Sequence, residues 1–405
     1  MSTSITIDPT SKRLPILYDR SRSTTDWQCQ RRRYWNYEYG GKGVVPNWED
    51  QALFLGTTLH DGLAGIARSI DIDKICSAAY ANVLDVITDG GGEEQYAYEQ
   101  ATLIEGLLRG FHKHVWPQLI ATYPKIITIE QEMTYHHDGM IFMSKPDIIL
   151  GNAEGDVVYV EYKSTSSKKD SWIKSWNKAV QLHSTCMAVR ETLGVMPTAV
   201  IVQGLYKGYE SYGKQTSPFC YAYMRSGNPP FTTTQISYEY KAGFKKSPVW
   251  DLEGGIKGWV EDMPPNILAD QFPRTPPIYV KEEMINKFFA QRHMRENEIR
   301  LALDIMKGDP ASKEEVMNVS FQQRFDQCEP AYGKVCPYVD LCFRNGDDPI
   351  AAGYEWRQPH HAPETEMMMT KEAIEEYVKE TAAALLNEPT AISKMLEEDG
   401  YGHGV

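Results

Sequence analysis

The chain has 405 residues and a formal net charge of −13, and 42% of its residues are hydrophobic, which excludes a disordered, collagenous or low-complexity protein. No apolar run approaches the roughly 18 residues of a membrane span, and the opening stretch MSTSITIDPTSKRLPILYDR lacks the apolar centre of a secretory signal. The expectation is a cytoplasmic protein with no membrane association, whose seven cysteines are thiols or metal ligands rather than disulfides.

The acidity is uneven. Residues 343–405 hold 13 acidic and 5 basic side chains, a balance of −8, which leaves −5 for the rest of the chain. Overall charge therefore does not exclude a local basic groove for a polyanion. Residues 1–25 read as an irregular lead-in, and 27–39 (WQCQRRRYWNYEY) is dense in aromatic and arginine side chains. A Gly/Pro turn leads into a helical pattern over 49–70, where Leu59, Leu63, Ile66, Ala67 and Ile70 recur at helical spacing. His60 lies about 100° around the helix from Leu59, at the edge of that stripe. After a glycine loop at 89–92, residues 94–120 repeat the helical pattern, closed by Pro117 and Pro124. Three strands joined by short turns follow at 125–135, 140–150 and 156–162. A helix over 170–193 and a β-branched strand over 198–205 come next, with further strands at 219–224 and 232–240. Helix 281–306, a cysteine loop at 328–342 and an amphipathic helix at 371–386 complete the chain.

This order predicts an α/β fold, a central mixed β-sheet flanked by helices. It divides into a helical N-terminal part (1–120), a core (121–280), a C-terminal helix with a cysteine loop (281–343) and an acidic tail (344–405). The tail is suited to solubility or to a protein partner. Gly208 to Lys214 mimics a phosphate loop, but Gln215 replaces the required Ser or Thr and a strand pattern follows, so no nucleotide site is read there.

Chemistry concentrates in Pro146-Asp147 and, after thirteen intervening residues, Glu161-Tyr162-Lys163. Alternation puts Glu161 and Lys163 on one strand face, and a hairpin can bring Asp147 beside them. Two carboxylates converging with an ammonium suit a hard cation such as Mg²⁺ or Mn²⁺. A surface hairpin with an i, i+2 ion pair gives the same letters; the strand–turn–strand–helix context favours chemistry. Gln181, on the next helix, is in reach of such a site or is simply solvated. His60 is a neutral imidazole ligand or a boundary histidine. Cys336 and Cys342 have five residues between them, Cys328 precedes Cys336 by seven intervening residues, and Cys29 stands far upstream. Four thiolates suit a [4Fe–4S] cluster or a tetrahedral zinc. Cys76, Cys186 and Cys220 lie in helix and strand patterns and read as packing residues.

Taken together, CQRRRYW from Cys29, His60, Asp147, Glu161-x-Lys163, Gln181 and CPYVDLC from Cys336 resemble the RecB-like branch of the PD-(D/E)XK nuclease superfamily. Within it they resemble the iron–sulfur exonucleases of AddB, CRISPR-associated and phage type. The resemblance implies a restriction-endonuclease-like core and a metal-dependent DNA exonuclease of recombination, repair or phage DNA processing. It assigns the metal to His60, Asp147, Glu161 and the Tyr162 carbonyl, with Lys163 and Gln181 placing water and phosphate. It assigns the cluster to Cys29, Cys328, Cys336 and Cys342, although the family commonly has two residues where seven separate Cys328 from Cys336. DNA contacts are expected from Arg31, Arg32, Arg33, Lys168 and Lys169, each of which also reads as a solvated charge. The alternatives are a nuclease of CRISPR adaptation and a non-catalytic nucleic-acid-binding or assembly module that keeps the fold; the expected partners are DNA, as single strands or duplex ends, and a recombination or replication protein.

Overall fold

A computed structural model describes residues 16–47, 51–92, 94–137, 140–165, 169–176, 180–207, 269, 271–328, 335–343, 348–361 and 363–365. The strands expected at 219–224 and 232–240, the phosphate-loop-like segment, Cys220 and the helix expected at 371–386 lie outside these residues.

Strand β1 (Ile16–Tyr18) leads into α1 (Arg20–Gln28), whose N-cap Asp19 accepts the Arg22 N–H. Cys29 adopts extended backbone and breaks the helix before α2 (Gln30–Arg33), which runs on through a π-helical turn at Tyr34–Glu38. Gly43 has φ +80°, and a Cβ there would collide with the Asn36 carbonyl, so only glycine lets the chain turn into β2 (Val44–Pro46). Then come α3 (Gln51–Ala67), α4 (Ile72–Asp89), α5 (Glu94–Gly110) and, past a π-helical turn, α6 (Trp116–Thr122). Pro117 does not close a helix as its type suggests; it sits in the first turn of α6, where its missing N–H is no loss. Ile70 falls past the end of α3 and is exposed, unlike the buried Leu59, Leu63, Ile66 and Ala67.

Two of the three expected strands are each cut in two. Residues 125–137 form β3 (Lys125–Ile129) and β4 (Met133–His137), parted at Glu130, which has φ +49°. Residues 140–151 form β5 (Met140–Ser144) and β6 (Ile148–Gly151), parted at Lys145, Pro146 and Asp147. Strand β7 (Val157–Thr165) stays whole. Within the helix expected over 170–193 the described residues form α7 (Lys169–Trp176) and α8 (Val180–Leu193), and β8 (Ala199–Tyr206) follows. The chain continues with α9 (Glu282–Gly308), α10 (Lys313–Ser320), α11 (Val339–Phe343) and β9 (Tyr354–Trp356).

The central sheet has the order β3-β6-β7-β8. Its first three strands are antiparallel, while β7 and β8 are parallel, joined by a crossover through α7 and α8. Residues 273–278 add a further edge, with the Thr275 N–H donating to the Val202 carbonyl at 3.0 Å. A second sheet, β1-β5-β4, and a ribbon, β2-β9, complete the topology.

The central strands are buried on both faces, which is why their sequences read as continuous apolar runs. Ile148, Leu150, Val158, Val160 and Tyr162 share one apolar cluster with Leu59 and Leu63 of α3, Val83 of α4 and Leu108 of α5. Ile149, Tyr159, Val200 and Val202 pack on the opposite side with Leu182 and Cys186 of α8 and Phe288 and Phe289 of α9. The expected helix-flanked mixed sheet is present. Strand β1 pairs with β5 in the second sheet, and β9 pairs with β2.

Candidate active site

Asp147 stands one step beyond the Ile148–Val160 pair of the β6–β7 ladder, which brings it next to the Glu161 end of β7. The carboxylate is buried and held from two directions. Its Oδ2 accepts the Tyr162 backbone N–H at 2.5 Å, and its Oδ1 lies 3.0 Å from His60 Nδ1. Glu161 is 2% exposed, a carboxylate in a strand that otherwise buries apolar side chains. Its Oε1 receives the Lys163 ammonium, two residues along the same face, and Arg20 Nη1 of α1 at 2.9 Å.

A third carboxylate joins them. The Glu130 N–H donates to the Asp147 carbonyl at 2.9 Å, so the two chain breaks are bonded together. The Glu130 side chain lies 3.9 Å from His60 Nδ1 and pairs with Lys145 at 2.9 Å. His60, Glu130 and Asp147 offer ligand atoms that all lie within 4.8 Å of one another. Two carboxylate oxygens and an imidazole nitrogen suit a divalent cation that favours oxygen ligands.

The charges tune each other. Burial opposes protonation of His60, but Asp147 and then Glu130 outweigh it and push its pKa up to about 9. Asp147 is raised, by burial first and then by the nearby Glu161 charge. Burial also works against the Glu161 carboxylate, but Lys163 and Arg20 hold its pKa below the usual value. Glu130 is likewise lowered against burial by His60 and Lys145. The site is thus an alternation of acids and bases in which every carboxylate has a cationic neighbour.

Sequence reasoning placed His60, Asp147, Glu161 and Lys163 together, and the structure brings all four to one end of the β6–β7 pair. Glu161 stands outside the close trio, engaged by Arg20 and Lys163. Tyr162 joins the site through its backbone, its N–H donating to the Asp147 carboxylate. Gln181 lies in the first turn of α8, and its side chain is outside the described residues, as are Lys168 and the side chain of Lys169. Glu130, Lys145 and Arg20 were missed. Glu130 sits inside what reads as one strand, and nothing local to Arg20 announces a partner 141 residues away.

The arginine run needs correction. Arg33 is 1% exposed; it forks onto Glu296 at 2.9 and 3.2 Å and reaches Glu38 at 2.8 Å, so it holds the fold and cannot touch DNA. Arg31 is spent on the Phe321 and Met317 carbonyls and on Asn318. Arg32 lines a cavity together with Cys29, Cys328, Cys336 and Cys342. The segment around Cys29 is laid on the C-terminal part by main-chain bonds, the Arg31 N–H donating to the Gln322 carbonyl at 3.2 Å. The Cys336 N–H donates to the Cys328 carbonyl at 2.8 Å. Burial and the neighbouring sulfurs push the Cys342 thiol up to about 11 and also raise Cys336, which Arg32 partly counters.

Among the described residues no helix is long and apolar enough to cross a membrane. No curated protein matches the chain. The sequence profile of the PD-(D/E)XK nuclease superfamily matches residues 21–343, a span that contains Cys29, His60, Glu130, Asp147, Glu161, Lys163, Cys328, Cys336 and Cys342. Nucleases of this superfamily generally work with Mg²⁺ or Mn²⁺. With the match covering most of its length and the carboxylates and lysine gathered at one sheet end, the chain belongs to the PD-(D/E)XK nuclease superfamily.

Proposed function

We propose that the protein is a metal-dependent deoxyribonuclease that degrades DNA from its ends, in recombination, repair or phage DNA processing. The observation that carries the reading is the convergence of His60, Glu130, Asp147, Glu161 and Lys163 at the end of β6 and β7. His60 Nδ1, Asp147 and Glu130 would hold Mg²⁺ or Mn²⁺, with Glu161 and the Tyr162 carbonyl as further ligands. A cation held there supplies a more acidic bound water and offsets charge on the scissile phosphate.

The protein's own contribution is positional and electrostatic. The Tyr162 N–H and His60 fix the Asp147 carboxylate in advance. Lys163, anchored on Glu161, orients the attacking water and stabilises charge building on the phosphate. Gln181 helps place that water or the phosphate. His60 must lose its proton before its Nδ1 can act as a ligand, so Asp147 and Glu130 favour the proton and the cation in competition. Lys168 and Lys169, just after β7, are the DNA-backbone contacts that remain from sequence reasoning.

Cys29, Cys328, Cys336 and Cys342 would hold a [4Fe–4S] cluster with a structural role, joining segments about 300 residues apart. All four cysteines line one cavity, and the spacing of their sulfurs favours a cluster over zinc. No three of them lie within 4.8 Å of one another among the described residues, whereas sulfurs around a tetrahedral zinc sit ~3.8 Å apart, given Zn–S bonds of about 2.3 Å.

The test uses the full chain with Mn²⁺ or Mg²⁺ on end-labelled linear single- and double-stranded DNA and on closed circles. Wild type is compared with Asp147→Ala and Lys163→Ala. The expected result is degradation of linear DNA by wild type and a loss of at least about 100-fold in each variant, the scale for removing a preorganised charge. Unchanged activity in both variants overturns the assigned site, and rapid cutting of closed circles overturns the exonuclease reading.

A further inference from the structure

The fold-holding arginines near the N-terminus share a pattern that Arg20 breaks. Arg22 is buried between Asp19, at 3.2 Å, and Glu364, at 2.5 Å. Arg33 is enclosed by Glu296 and Glu38, and Arg295 is tied to Asp26 at 3.0 Å. The Arg22–Glu364 and Arg295–Asp26 pairs tie α1, which begins at Arg20, to the C-terminal part of the chain. The Arg20 side chain, by contrast, is 41% exposed, yet its Nη1 reaches the almost fully buried Glu161. It touches the candidate active site from α1, outside the central sheet.

Neutralising Glu161 does not require it. Lys163 already meets the same Oε1 from two residues away on β7. A second cation on one oxygen is redundant for the fold, and it gains a purpose when the whole site is considered. Three carboxylates, Glu130, Asp147 and Glu161, face three basic side chains, Lys145, Lys163 and Arg20. With a divalent cation bound and His60 neutral, the surplus is the charge of that cation. This matches the two negative charges that a phosphodiester and an attacking hydroxide bring together. Without Arg20 the match is lost by one charge.

We propose that Arg20 is a phosphate-binding residue of this site: it holds Glu161 through Nη1 and presents the rest of its guanidinium to a backbone phosphate of the bound DNA. The assignment rests on the nuclease reading. A guanidinium is suited to the task because its planar fork spreads five N–H donors over two edges, so that one edge serves a carboxylate while the other pairs with phosphate oxygens. A lysine at the same place is a point charge that keeps the attraction and loses the bridge.

The experiment is fluorescence anisotropy with a labelled single-stranded oligonucleotide in Ca²⁺, across a KCl series, on full-length wild type, Arg20→Ala and Arg20→Lys. Thermal melts run alongside, as do cleavage assays in Mn²⁺ that include Asp147→Ala. For Arg20→Ala the expected result is a Kd raised about tenfold and a log Kd–log salt slope smaller by about 0.7, the loss of one phosphate contact on a single strand. Arg20→Lys restores the slope and only part of the affinity, and the melting temperature stays put. A salt slope in Arg20→Ala equal to that of wild type, with weaker cleavage or a lower melting temperature, overturns the proposal and leaves Arg20 as a prop for Glu161. The two readings fail separately. If wild type cleaves and Asp147→Ala does not, an unchanged slope sinks Arg20 alone. If wild type binds without cleaving while Arg20→Ala loses slope, the nuclease reading falls and the phosphate contact stands.

Discussion

Replacing Arg33 by methionine tests whether the buried ion pair between α2 and α9 holds the N-terminal segment in place. Arg33 is the largest fully buried side chain among the described residues, and its partner Glu296 is 1% exposed. Methionine keeps much of the apolar stem and removes the charge. Glu296 is then left inside the protein with Glu38 and Asp26 as neighbours, both of which disfavour its ionised form. Breaking one side of a buried pair costs about 3–5 kcal/mol, because the remaining charge is uncompensated. Protonation of Glu296 limits the loss, and that gives the prediction a pH signature. Burial already raises the Glu296 carboxyl above its ordinary value in the native protein, against the pull of Arg33; without the guanidinium it rises further. A carboxyl raised on folding contributes stability that is fully present below its unfolded value, about 4.5, and lost as pH climbs through the folded value. The slope is up to about 1.4 kcal/mol per pH unit. Arg33→Met should therefore be weakest at pH 7 and approach wild type towards pH 5. Arg33→Met/Glu296→Leu, which removes both charges, should recover most of the deficit. Urea unfolding followed by tryptophan fluorescence at pH 5, 6 and 7 measures all three proteins. A single variant within about 1 kcal/mol of wild type at pH 7, or a double variant no more stable than the single, refutes the reasoning.

In metal-free protein His60 is an imidazolium at neutral pH, with its pKa raised from 6.5 to about 9 against the effect of burial. The corresponding stability, on the order of 3 kcal/mol, is present below pH 6.5 and lost as pH rises through about 9. Chemical denaturation in EDTA from pH 6 to 9.5 should show that decline, and Asp147→Asn should flatten it; an imidazole that titrates near 6.5 by NMR contradicts the assigned contact. For the cysteines, anaerobically prepared protein should be brown and contain about four irons, with Cys29→Ser and Cys336→Ser bleached, and a colourless protein carrying one zinc overturns the cluster assignment.

The parts of the fold carried by local repetition are legible in the sequence. The spacing of Leu59, Leu63, Ile66 and Ala67 marks the buried side of α3, and the β-branched runs of β7 and β8 mark strands covered on both faces. Helix α4 is not among the elements expected from the sequence, although Ile75, Ala79, Val83 and Ile87 repeat every four residues and are all buried. What local repetition cannot carry is a partner far along the chain. Arg33 reads as one of three solvated or DNA-facing arginines because the carboxylate that encloses it, Glu296, is 263 residues away. Nor can it show where a strand leaves its sheet. KIITIEQEMTY and MIFMSKPDIIL each read as one strand, and each is cut at its polar centre, the halves going to different sheets. The cuts fall at Glu130 and at Lys145 to Asp147, and they are joined by the Glu130 N–H on the Asp147 carbonyl and by the Lys145–Glu130 ion pair. An uninterrupted strand would direct Glu130 and Asp147 up or down by alternation, into cores with no place for a carboxylate. Breaking both strands at the same corner releases these side chains from that alternation and turns them towards His60. Local pattern and tertiary arrangement part company at the residues assigned to bind the cation, which is where a functional site is expected to override the rules of its fold.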